Sequence, residues 1–223
     1  MRKNGAMHGK WNSLLMRHVG ILGLAALAGL LMACTGSASG DRGAGDREGV
    51  KIADARARPS FVLRDTSGKT FDFRKETDGY LTLIYFGYTN CPDVCPIHFA
   101  NIAGALKQVP GPVRDRVKVI FVGVDPPRDT PERIREWLDY FDRSFIGLTG
   151  TDEELAAAQN AAGVPPASRG EDLGNGRYSV SHAGWVLGYT AYDEQTWQFP
   201  LGVRQQSWAQ VLRRLAKYGD QKP

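Results

Sequence analysis

Soft metal ligands are scarce in this 223-residue chain, which has 3 cysteines, 4 methionines and 4 histidines. Met1, Met7, Met16 and Met32 all fall within the first 34 residues, together with His8, His18 and Cys34. Beyond residue 34 there is no methionine, and Cys91, Cys95, His98 and His182 are the whole supply of thiols and imidazoles. A thioether-ligated site is therefore excluded from the body of the chain. Any soft-metal site there draws on those four side chains and on carboxylates. Excess charge is lacking too. The formal net charge is +4, and Arg2, Lys3, Lys10 and Arg17 account for it, because the first 34 residues hold no Asp or Glu. The neutral body shows no basic stripe and gives no support for nucleic acid as a partner. Long hydrophobic runs are also missing: residues 19–33 are apolar but for glycines, which is short of the roughly 20 residues that span a bilayer comfortably.

What is present at the N-terminus reads as an export signal, with a basic segment, a short apolar stretch and the ending Leu31-Met32-Ala33-Cys34. Leu-x-Ala-Cys resembles a bacterial lipobox, in which Cys34 becomes the lipidated first residue; Met32 is not the usual occupant of its position. An uncleaved anchor is the alternative, and either leaves the body exported and held on the extracytoplasmic face of the cell membrane. The expected organisation is a signal peptide with lipobox over 1–34, then a flexible tether over 35–57, rich in Gly, Ser, Ala, Asp and Arg. Residues 58–220 then form one domain, long enough for a real core.

Within that domain, two short apolar runs around Ser67-Gly68 in residues 61–73 predict an N-terminal β-hairpin. Residues 81–86 and 117–124 are continuous apolar runs that fit strands buried on both faces. Pro92 opens a helix to about 108. Thr130 as N-cap with Pro131 at the first helical position starts another, to about Phe141. Residues 145–148 form a short strand, and Thr151 with Glu154 is a capping box for a helix over 152–162. Residues 178–192 and 196–199 read as paired strands, and Ser207 caps a last helix ending at Gly219. The fold class is α/β: a central mixed β-sheet flanked by helices, with a dithiol at the end of the first central strand, as in a thioredoxin-like fold.

Cys91 and Cys95 are four apart, so a helix places both sulfurs on one face near its N-terminus, where backbone N–H groups and the helix dipole favour thiolate. Such a pair holds Cu or Zn, cycles as a disulfide, or does both. A purely structural disulfide is the weaker reading, because so short a loop restrains little chain entropy. A metal needs a third ligand. His98 falls on the thiol face but two turns into the helix, while His182 comes from a distant strand whose entering loop packs beside the dithiol. Spacing leaves the choice open.

The segments Phe86-Gly-Tyr-Thr-Asn-Cys-Pro-Asp-Val-Cys-Pro96, Val124-Asp-Pro-Pro-Arg-Asp-Thr-Pro131, Phe145-Ile-Gly-Leu-Thr-Gly150 and Val180-Ser-His182 together resemble the SCO/SenC family. Members of that family are membrane-anchored, thioredoxin-fold copper proteins that help assemble the CuA centre of cytochrome c oxidase. The resemblance runs over about residues 59–219. It implies copper, Cu(I) or Cu(II), held by Cys91, Cys95 and His182, with His98 left as a helix-surface residue. It further implies the CuA-bearing oxidase subunit as partner, with other periplasmic copper chaperones or a thiol reductant beside it. The alternative it leaves is a thiol-disulfide reductase using Cys91 and Cys95 as a redox pair to keep the CuA cysteines reduced. Two departures stand out: Ser181 where the family often has an acidic residue, and Pro127 where it often has Glu. Asp125 and Asp129 are kept, either to hold a loop near the cleft or dock a partner, or simply to cap the following turn and helix.

Overall fold

The structure is a computed structural model that describes residues 49–192 and 194–218; the leader, Cys34 and residues 35–48 lie outside the described residues. The sheet starts earlier than composition suggested. β1 (Val50–Ala57) pairs antiparallel with β10 (Glu194–Phe199), Val50 opposite Gln198 and Ala57 opposite Glu194. Residues 50–57 are thus strand rather than tether. Their alternation of Ala53, Ala55 and Ala57 with Asp54 and Arg56 has the period of two that a strand needs, and a backbone partner is enough to recruit it.

The expected hairpin is β2 (Val62–Asp65) with β3 (Thr70–Asp72), Leu63 opposite Phe71. Gly68 closes its turn at φ 81°, a left-handed conformation that suits glycine. A short helix α1 (Phe73–Glu76) leads to β4 (Leu81–Gly87), every residue of which is buried. Then come α2 (Val94–Gln108), α3 (Gly111–Arg114), β5 (Val117–Gly123), α4 (Pro131–Asp139), β6 (Ile146–Thr149) and α5 (Asp152–Ala161). After a hairpin of β7 (Ser168–Gly174) and β8 (Arg177–Ser181), the chain forms β9 (Val186–Tyr189), β10 and α6 (Gln205–Tyr218). The main sheet has the order β1-β10-β9-β4-β5-β6-β2-β3, parallel across β4, β5 and β6 and antiparallel elsewhere. It is a mixed sheet, as expected.

Alternate residues of the two central strands feed two cores. Leu83, Tyr85 and Phe121 face Phe99 and Leu106 of α2, Trp137 of α4 and Trp208 of α6. Ile84, Phe86, Ile120 and Val122 face the other way, toward Phe61, Leu63 and Phe73 of the N-terminal segment and Leu155 of α5. Both faces are covered, which is why the two strands read as unbroken apolar runs. Arg58, 1% exposed, ties the edge down by donating to Thr82 Oγ1 at 2.9 Å and to the carbonyls of Tyr80 at 3.1 Å and Thr190 at 2.7 Å.

The helix starts at Thr130 and Thr151 follow the sequence: each hydroxyl accepts from the N–H three residues on, and Thr151 with Glu154 closes a full capping box. Two other boundaries shift. α6 begins at Gln205, so Ser207 lies inside its first turn and is not its cap. The long strand expected over 178–192 is broken at residues 182–185, because residues up to Ser181 pair instead with β7 around a left-handed Gly174-Asn175-Gly176 turn.

Candidate metal centre

Strand order places the centre. β9 lies antiparallel beside β4, with Leu187 opposite Ile84, so the segment entering β9 arrives next to the end of β4 from which the dithiol departs. Cys91 closes the turn after β4, its N–H donating to Tyr88 O at 3.2 Å. α2 begins two residues past Pro92, at Val94. Asp93 occupies the N-cap position without a side-chain capping bond. The sulfur of Cys91 fills that role, accepting from the N–H of Cys95 at 3.4 Å. Sequence spacing put both sulfurs on one helix face; in fact one sulfur is in the helix and the other caps it.

Ligand atoms of Cys91, Cys95 and His182 all lie within 4.8 Å of one another. Two thiolates and an imidazole bound to one ion at about 2.0–2.3 Å lie about 4 Å apart, so the three fit a single soft metal after a small closure. Both cysteines are buried and reduced, and His182 is half-buried. The thiols are unequal. A hydrogen bond from the Cys95 thiol pushes Cys91 down to about 4, with further help from His182 and the N–H groups of Cys95 and Asp93, against the opposing effect of burial. Burial pushes Cys95 up, and the neighbouring Cys91 pushes it further. The pair therefore rests as one thiolate, at Cys91, and one thiol, at Cys95.

His182 is oriented before any metal arrives. Its Nδ1 lies 3.0 Å from Ala183 O; a carbonyl only accepts, so Nδ1 donates there, and Nε2 is the ring nitrogen that faces away from that bond and would bind a metal. The contact that an acidic neighbour would make to the ring is supplied by a carbonyl one residue on, while Ser181 is exposed. The ring stands edge-on between Tyr85, centroids 5.7 Å apart, and Tyr88, 5.5 Å. Tyr85 also brings its hydroxyl to 3.7 Å from Cys95 Sγ. Burial pushes that phenol up and keeps it protonated.

His98 is not a helix-surface residue. It is 2% exposed, its Nε2 lies 3.1 Å from Gly184 O, and its ring centroid is 5.1 Å from that of Tyr85. The thiol face of α2 is the face that packs on the sheet, so a side chain one turn beyond Cys95 is buried there. Burial pushes its pKa down and keeps the ring neutral.

Asp125 and Asp129 are both buried, and both are used by the protein's own groups. Asp129 accepts from Thr89 N at 2.8 Å, Thr89 Oγ1 at 2.7 Å and Asp125 N at 3.2 Å, which fixes the turn two residues before Cys91. Asp125 accepts from Tyr178 Oη at 2.6 Å and pairs with the Arg128 side chain, fastening the β7–β8 hairpin that leads to His182. Arg128 in turn stacks 3.6 Å from the Tyr178 ring centroid. Neither carboxylate caps α4; Thr130 does. Tyr85, Thr89 and Tyr178 were not singled out from the sequence, since only their neighbours in space give them a role.

A thioredoxin-like α/β domain with two cysteines at a strand–helix junction and a histidine brought in from the neighbouring strand defines a class: thioredoxin-fold proteins carrying a soft-metal ligand set. The particular family follows from comparison. The SCO1/SenC family model matches residues 50–217, and the chain belongs to that family. A putative copper-binding protein of Stutzerimonas stutzeri is 36% identical over 131 residues, 58% of this chain and 62% of that protein. Among solved structures, apo Sco1 of Thermus thermophilus aligns with a TM-score of 0.67 at 28% identity, over 78% of this chain and 99% of that one. ScoI of Bradyrhizobium japonicum, solved with copper bound, aligns with a TM-score of 0.63 at 33% identity, over 72% of this chain and 99% of that one. The chain thus spans about three fifths of the curated relative's length but nearly all of the solved domains.

Proposed function

We propose that this protein is an extracytoplasmic copper metallochaperone, anchored to the cell membrane through lipidated Cys34. It holds copper on Cys91, Cys95 and His182 and passes it by ligand exchange to the CuA-bearing subunit of cytochrome c oxidase. The observation that carries the reading is the convergence of those three ligand atoms within 4.8 Å. Thiolate and imidazole are the donors that suit copper, and one family relative was solved with copper bound. The oxidase as recipient rests on the SCO/SenC resemblance. Titration of the reduced protein with Cu(I) against a competing chelator tests the site: one tight copper per chain, lost in Cys91→Ser and Cys95→Ser and strongly weakened in His182→Ala. Normal binding by His182→Ala refutes the ligand assignment.

A second reading is favoured by the unequal thiols. A low-pKa thiolate beside a protonated partner is poised to attack a disulfide. Cys91 would form a mixed disulfide with the target and Cys95 would resolve it, so that two electrons and two protons pass to the target and Cys91–Cys95 is left oxidised. Weak copper binding combined with reduction of an oxidised CuA-domain dithiol selects this reading over the first.

A further inference from the structure

His98 belongs to neither the ligand set nor the core proper, yet it is a buried imidazole one turn beyond Cys95 on α2. It reaches across 86 residues of sequence to Gly184 O at 3.1 Å. Because a carbonyl only accepts, Nε2 of His98 is the donor. Gly184 is two residues from His182, in the stretch without strand structure between Ser181 and Val186. A Cβ built at Gly184 meets nothing within 4 Å, so Gly184 itself makes no side-chain contact there, whereas Ala183 before it is buried in the core. The two carbonyls that follow His182 are each engaged by an imidazole: Ala183 O by Nδ1 of His182, and Gly184 O by His98. Tyr85 sits between the two rings, 5.1 Å from His98 and 5.7 Å from His182.

We propose that His98 is a positioning residue for the metal centre: its hydrogen bond to Gly184 O fastens the His182 segment to the dithiol helix and sets how firmly the third ligand is held. The inference rests on the copper reading and extends it, because it names the element that governs retention against release. With the bond made, His182 stays over the sulfurs. With it broken, His182 is held only by buried Ala183 and its contacts with Tyr85 and Tyr88, its grip on copper loosens, and the two thiolates are open to an incoming ligand.

The test uses the full chain in detergent, reduced, with Cu(I) titrated against a competing chelator, and with the rate of copper loss to excess chelator followed in parallel. His98→Leu is expected to lower affinity about 10-fold, the usual effect of removing a hydrogen-bonding group behind a metal ligand, and to speed copper loss by a similar factor. His98→Gln, whose amide N–H reaches toward the same carbonyl, is expected to recover most of that loss. The Cu(II) form gives a readout that general destabilisation does not move: nitrogen hyperfine coupling from His182 weakens in His98→Leu and returns in His98→Gln. Wild-type affinity and spectrum in His98→Leu, with His182→Ala impaired, overturn the inference and leave the copper site standing. Equal loss in the Leu and Gln variants also overturns it, since the donor is then irrelevant. A wild type that binds no copper overturns both. Nitrogen-15 NMR of the unaltered protein guards against a misfolded variant: His98 is expected as the Nε2–H tautomer, and the Nδ1–H tautomer refutes the bond outright.

Discussion

Replacing Asp129 by asparagine tests how a buried carboxylate supports the turn before Cys91. The side chain is 1% exposed and accepts three hydrogen bonds, two from Thr89 and one from the N–H of Asp125. Burial dominates those bonds and the nearby Asp125 adds to it, so the carboxyl is pushed up from 3.8 to about 6. The folded state therefore holds this proton more tightly than the unfolded chain does. The group's contribution to stability is fully present below about 3.8 and is lost as pH rises through about 6. From 3.8 to about 6 the loss amounts to about 3 kcal/mol. Asparagine keeps an acceptor for Thr89 but turns its amide toward the Asp125 N–H, a mismatch worth about 1–2 kcal/mol at any pH. At pH about 4 the variant is then the less stable protein. By pH about 7.5 the difference has moved about 3 kcal/mol in its favour and has changed sign. Urea unfolding of both reduced, metal-free proteins across that range measures the difference, in which carboxylates remote from Asp129 cancel. A difference that stays constant, or grows in favour of the wild type as pH rises, refutes the reasoning: the three hydrogen bonds would then outweigh burial.

Three further outcomes are expected. In the reduced, metal-free protein, iodoacetamide modifies Cys91 before Cys95, at a rate nearly flat from pH about 8 to 6 and falling toward the Cys91 pKa of about 4; peptide mapping that finds Cys95 first contradicts the thiolate assignment. Tyr85→Phe removes a hydroxyl 3.7 Å from Cys95 Sγ. At about 1 kcal/mol for that bond, the Cys91–Cys95 couple becomes about 20 mV more reducing, and equilibration in a glutathione buffer detects a shift of either sign. Arg58→Met removes the donor to the buried hydroxyl of Thr82 and to the part-buried carbonyls of Tyr80 and Thr190, at a cost of about 2 kcal/mol; an unchanged urea midpoint shows that water replaces the guanidinium.

Features set by neighbours in the chain were legible in the sequence. The unbroken apolar runs of β4 and β5, the hairpin around Gly68, and the caps at Thr130 and Thr151 all appear close to where local pattern places them. Features set by a distant partner were not. β1 is a strand because β10 lies beside it, and its weakly apolar composition looked like tether. The β7–β8 hairpin did carry a local signal, Gly174-Asn175-Gly176, but β7 is exposed at every position and almost wholly polar, so no apolar pattern marked it as a strand. At the centre, the two cysteines and their spacing stand out in the sequence, but the third ligand was named by family resemblance. His98 was left on the surface by the same resemblance, which gave it no ligand role, and helical spacing shows which face a residue shares but not what lies against that face.

The bond between His98 and Gly184 closes a loop of 86 residues, and the ligand cluster joins the same two stretches of chain. Contacts of such separation form late, after most of the ordering entropy has been spent. A partly folded chain offers copper a dithiol at most; only a finished one offers the imidazole as well. The three-ligand set is therefore complete only once the last strands have docked.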